Sequence, residues 1–192
     1  RRLGRRRSSV FPVPCRQAVY AASDDEAKVS NLRWMGKGLP VQALAIRHKI
    51  RQLDELLRDD ARARPVFREV RPELLFWAMN GETPMLHCKK CVEGRRERLL
   101  LLTAVLGETV LDEVMTARRA YPRRDLQTDD VLDALAAAVA AIHHRELVSL
   151  PENPPLDSRG LPMQMVYWPR PAASEQQQWY FGTQNSALRT HR

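Results

Sequence analysis

The sequence holds 192 residues, 44% hydrophobic and 28% charged, with a formal net charge of +8. These values suit one globular domain and exclude a collagen-like or wholly disordered chain. Five of the eight net charges come from Arg1, Arg2, Arg5, Arg6 and Arg7, which leaves +3 for the rest of the chain, so the overall charge is weak evidence for a nucleic-acid partner.

No run approaches the roughly 18 apolar residues that span a bilayer, so no membrane is expected as a partner. Nothing before Pro12 and Pro14 forms the apolar stretch of a secretory signal. The Arg-rich, acid-free residues 1–23 share the composition of a mitochondrial transit peptide, as the lesser reading. Three cysteines, Cys15, Cys88 and Cys91, are an odd and low count that fits the reducing cytoplasm.

Residues 1–23 read as an irregular basic entry. Residues 40–60 read as an amphipathic helix with Pro40 in its first turn and Ile46, Ile50, Leu53 and Leu57 on one stripe. Residues 66–70 (VFREV) predict a strand, closed by Arg71-Pro72. Residues 73–79 continue as a buried helical turn or strand extension, and Asn80-Gly81 marks a turn. Helices are predicted over 93–106, stopped by Gly107, and over 109–119. The strongest helix runs from Thr128, as N-cap, to about Leu147, with Leu132, Leu135, Val139 and Ile142 as its apolar stripe. The prolines at 151, 154, 155 and 162 mark a connector, residues 163–168 a short strand, and residues from 169 onward a loosely ordered tail. Two strands make a poor sheet, so the pattern implies either an α-rich domain or a sheet short of strands.

Three groups of residues could carry chemistry. Cys88-Lys-Lys-Cys91 after His87 has the spacing of half a zinc site or a redox pair, but no second pair completes it. The plainer reading is a basic loop with two incidental thiols. The acids Glu73, Asp129, Asp130 and Asp133 form the second group, in which Asp133 shares a helix face with Asp129 and Asp130. They read either as helix caps and surface charge or as oxygen ligands for Mg²⁺ or Mn²⁺. Lys89, Lys90, Arg95, Arg96 and Arg98 form the third, which suits phosphates but more commonly means a solvated face.

Several segments share order and spacing with one bacterial family. They are Arg6-Arg7-Ser8-Ser9-Val10-Phe11-Pro12, Gly36-Lys37-Gly38-Leu39 and Val70-Arg71-Pro72-Glu73. Further on come Phe76-Trp77-Ala78-Met79-Asn80-Gly81, Lys89-Lys90 with Glu93-Gly94-Arg95, Asp129 to Ala136, and Arg159-Gly160-Leu161-Pro162. Across residues 4–168 the chain resembles uncharacterised proteins described as predicted nucleases with an RNase H fold. Residues 130–136 (DVLDALA) are also similar to the last acidic motif of RuvC-type resolvases.

The resemblance implies an α/β, RNase H-like fold in which residues 1–168 form the C-terminal part of one domain and residues 169–192 a flexible tail. Family members open with strands bearing Gly-Val-Asp-Gly-Cys-like and Ile-Asp-x-Pro-Ile-Gly-like motifs, which this sequence lacks. The expectation is therefore an N-terminally truncated, mostly helical chain with two or three short strands. The implied activity is metal-dependent phosphodiester hydrolysis, with little or no turnover by these residues alone. Glu73, Asp133 and Asp130 would be catalytic; Glu73, Asp133 and Asp129 would hold Mg²⁺ or Mn²⁺; Lys89 and Lys90 would bind the nucleic acid. The alternative is a non-catalytic helical protein that binds nucleic acid or acts as a scaffold. The oligomeric state is not legible.

Overall fold

The computed structural model describes residues 3, 4 and 12–170. Most of the basic cluster at 1–7 and the tail beyond Arg170 therefore lie outside the described residues. The described chain is mostly helical, with one small antiparallel sheet. Its helices are α1 (Arg16–Val19), α2 (Asp24–Met35), α3 (Val41–Ala45), α4 (Arg47–Asp59), α5 (Pro72–Met79), α6 (Val92–Leu106), α7 (Val110–Ala120) and α8 (Thr128–Ile142). A 3₁₀ turn at His144–Glu146 leads into β1 (Val148–Leu150), which pairs with β2 (Met165–Tyr167).

The core forms around α5, because every residue from Glu73 to Met79 is buried. Helices α6 and α8 pack on it and on each other, α7 packs on both of those, and β2 closes one side. Trp77 meets Tyr167 edge to face at 5.6 Å between ring centroids. Each buried Leu or Phe here contributes roughly 1.5–3 kcal/mol. A second, much smaller cluster gathers Ala18, Ala21 and Ala27 with parts of Cys15, Leu39 and Leu44.

Several sequence expectations are corrected. Residues 66–70 do not form a strand: 67–70 run as irregular chain, and the Val166 N–H of β2 donates to the Glu69 carbonyl (2.8 Å). Without a neighbouring strand Val66 and Phe67 stay exposed, because β-propensity acts only through a ladder partner. The helix expected over 40–60 breaks at Ile46 into α3 and α4. The entry at 1–23 is not wholly irregular, since α1 occupies 16–19.

Helix α8 is capped by Gln127, not Thr128, because Asp130 Oδ2 accepts the Gln127 N–H at 3.0 Å. It ends at Ile142, where His143 turns to stack on Trp168 at 3.7 Å, and Ile142 faces solvent rather than the core. Strand β1, unforeseen in the pattern, follows that turn. Among the described residues, no helix is long and apolar enough to cross a membrane.

Candidate cation and phosphate site

Glu73 stands in the first turn of α5, just after Pro72 at the helix start. Facing it from α6 is Arg98, only 1% exposed. Arg98 Nη2 donates to both Glu73 oxygens, at 2.9 and 3.2 Å, and Nη1 donates to the Gly94 carbonyl at 3.0 Å. The guanidinium also lies 5.2 Å from the Phe76 ring centroid, a cation–π contact. Such desolvation is tolerable only because the charge has both an ionic partner and hydrogen-bond acceptors.

Before α6, a tight turn runs from Cys88 to Cys91, with the Cys91 N–H donating to the Cys88 carbonyl at 3.1 Å. Gly94 lets this turn lie directly on α6. A Cβ at that position would come within 1.9 Å of the Cys88 oxygen, so any other residue must displace main chain. The turn aims Lys89 at α8. Its Nζ donates to Asp133 Oδ2 at 2.8 Å and lies 3.6 Å from Asp129 Oδ2.

The charges in this group do not balance evenly. Burial pushes the Asp133 carboxyl above its ordinary range, and the hydrogen bond and charge of Lys89 only partly offset this. Arg98 also favours the Asp133 carboxylate, so its field reaches both Glu73 and Asp133. Burial works against the Lys89 ammonium too, but Asp133 and Asp129 outweigh it and raise its pKa. Beside the pair lies a groove of about 400 Å³ lined by Lys89, Lys90, Arg95, Gln127, Asp129 and Asp130.

The sequence-predicted residues thus separate into three environments. Lys89, Asp129 and Asp133 meet directly, and Lys90 stands on the same groove. Glu73 is committed to Arg98, and Asp130 is committed to capping α8. Arg98 was legible only as one member of a basic run, although it stands three and four residues before buried Leu101 and Leu102, on their face. Arg95, read with the basic run, also lines the groove, and Gln127 completes it without any spacing signal.

Carboxylate oxygens suit hard divalent cations such as Mg²⁺ or Mn²⁺. Asp129 and Asp133 fit that role, because they already converge on one positive charge, carried by a side chain long enough to swing away. Glu73 does not fit, since both its oxygens face a buried guanidinium. Among the described residues, no group of three or more His, Cys, Asp or Glu gathers as a metal centre.

The model of a family described as a protein of unknown function (DUF429) matches residues 1–156. The chain belongs to the DUF429 family. No curated protein and no solved structure matches it significantly. Much of the DUF429 match therefore includes the site residues just described, from Glu73 through Asp133.

Proposed function

We propose that this DUF429 chain contributes to metal-dependent phosphodiester hydrolysis, a nuclease chemistry on an RNase H-like architecture. The observation that carries this reading is the position of Lys89, whose ammonium is shared by Asp133 and Asp129 as a small cation would be. Mg²⁺ or Mn²⁺ held by this pair would supply an activated water and stabilise the leaving oxygen. Asp129 and Asp133 would bind the ion, while Lys89, released from them, would join Lys90 and Arg95 in holding a phosphate in the groove. Glu73 would act structurally, keeping Arg98 and therefore the turn before α6 in place. With only two carboxylates converging on one charge, these residues are expected to hydrolyse little or nothing on their own.

The test is Mn²⁺ binding to the purified chain, followed by paramagnetic resonance. Binding should weaken at least tenfold in Asp133→Asn and strengthen in Lys89→Met. Equal affinity in all three proteins would remove the basis of the reading. Mg²⁺-dependent cleavage of short DNA or RNA that disappears in Asp133→Asn would show that the two carboxylates suffice.

The non-catalytic reading is favoured by a different observation: Glu73 is paired with Arg98 and Asp133 with Lys89, while Lys90 and Arg95 still line the groove. In that case single-stranded nucleic acid binds without metal. Lys90→Ala and Arg95→Ala would then each lower the salt dependence by about one phosphate contact.

A further inference from the structure

We propose that Cys88 and Cys91 form a reversible disulfide that clamps the Lys89-Lys90 turn. Cys91 N–H donates to the Cys88 carbonyl, closing a four-residue turn with the two lysines at its tip. A turn of this kind holds its first and fourth Cα atoms within about 7 Å, overlapping the roughly 4.4–6.8 Å that disulfides accept.

Both main chains are already fixed. Cys88 is wedged against Gly94, where a Cβ would approach its oxygen to 1.9 Å. Cys91 caps α6, its carbonyl accepting from Arg95 N–H at 3.1 Å. The Cys91 sulfur lies 2.9 Å from the Cys88 oxygen and 3.2 Å from Gly94 N. Bridging therefore needs side-chain rotation rather than a backbone rearrangement. Cys15, at the start of α1, belongs to the other hydrophobic cluster.

The oxidant is a small-molecule disulfide of the glutathione class. Cys88 is exposed and Cys91 half-buried, which sets the order of attack. The Cys88 thiolate attacks one sulfur of the small disulfide, breaking its S–S bond and releasing one small thiol. The Cys91 thiolate then attacks the Cys88 sulfur of the mixed disulfide and releases the second. The two cysteines lose two hydrogens, and the small disulfide becomes two thiols; excess thiol reverses both steps. The bridge shortens the reach of the turn and holds Lys89 over Asp133 and Asp129. This last effect rests on the proposed cation site, whereas the disulfide itself does not.

The experiment equilibrates the full chain in glutathione buffers of graded redox ratio, blocks remaining thiols and maps peptides by mass. The expected result is a Cys88–Cys91 peptide lighter by two hydrogens, formed and lost reversibly. Cys88→Ser and Cys91→Ser should instead carry single glutathione adducts. Wild-type protein that shows only such adducts, or bonds to Cys15, in the most oxidising buffer overturns the proposal. Mn²⁺ binding by the bridged protein should be several-fold weaker than by the reduced protein. Equal affinities refute the clamp; no Mn²⁺ binding by either form counts against the cation site, while the mapping still decides the disulfide.

Discussion

Arg98 and Glu73 form a buried ion pair, with one guanidinium nitrogen donating to both carboxylate oxygens, 2.9 and 3.2 Å away. The pair joins α5 to α6 at the level of the turn that carries Lys89. Removing either partner alone strands a buried charge, which typically costs about 3–5 kcal/mol. Arg98→Met is expected to lose that much in urea unfolding, and Glu73→Gln somewhat less because the amide still accepts a hydrogen bond. The double variant Glu73→Leu/Arg98→Met should recover most of the loss, since no charge is then left buried. A double variant as unstable as Arg98→Met would show that the lost guanidinium bond to the Gly94 carbonyl, not charge compensation, is what matters.

Gly94 is needed for contact distance rather than for backbone freedom. A methyl group at this position meets the Cys88 carbonyl head on, and neither α6 nor the turn can yield without breaking a cap. Gly94→Ala should therefore destabilise by about 1–3 kcal/mol, despite the better helix propensity of Ala. A specific local consequence is also expected: amide exchange over residues 87–91 should accelerate more than exchange within α5. Unchanged protection of the turn would mean that it tolerates displacement from α6.

Helices α6, α7 and α8 were legible, and α3 with α4 as one helix, but α1 and α2 were not, nor were the partners of the helix faces. Gly107 and the acidic start of α8 mark ends that local chemistry dictates. By contrast, Ile50, Leu53 and Leu57 of the expected stripe lie on α4 and Ile46 at the break before it, yet no residue of α4 is buried. Periodicity reports that a face exists, not that anything covers it. Helix α2 has no clear stripe, and only Ala27 and Asn31 are buried along it; Asn31 pins its surroundings by accepting from Cys15 N and donating to the Lys37 carbonyl. In the site, the acids of α8 were visible as a pattern. Their pairing with Lys89 spans 44 residues and arises only through packing. Arg98 was obscured because a buried arginine and a surface one look alike in a basic run.

The Lys89–Asp133 pair predicts two separate pH effects. Burial holds Asp133 above its ordinary value of 3.8, so the unfolded chain ionises first as pH rises. Below 3.8 the residue makes no difference. Stability then falls as pH climbs from 3.8 through the raised folded value. Lys89 behaves differently: its folded value lies above 10.5, so its contribution is complete below 10.5 and is lost as pH rises through the folded value. Urea unfolding of wild type and Asp133→Asn at stepped pH should show wild-type stability falling relative to the variant as pH rises through the acidic window. Lys89→Met should lack the alkaline loss. Parallel curves for all three proteins would contradict the electrostatic account of the site.

A second polar junction, centred on Arg16, stabilises the part of the chain with the least apolar burial. Arg16 donates to Asp54 of α4 and to Asp157 of the proline-rich connector, while Tyr20 donates to the other Asp54 oxygen at 2.7 Å. Asp157 further accepts the Arg159 and Leu161 N–H groups at 2.8 and 2.9 Å. Burial opposes the Asp157 charge, but these donors and Arg16 outweigh it and lower its pKa. Its stabilisation is therefore complete above 3.8 and is lost as pH falls through the lowered folded value. Arg16→Met should cost about 1.5–3 kcal/mol, the range for hydrogen bonds to charged groups. Because the alanine cluster beside it buries so little, the loss should appear first as faster amide exchange in α1 and α4, with α5 and α8 protected. Equal acceleration in all four helices would show instead that the chain unfolds as one cooperative unit and that Arg16 supports the whole of it.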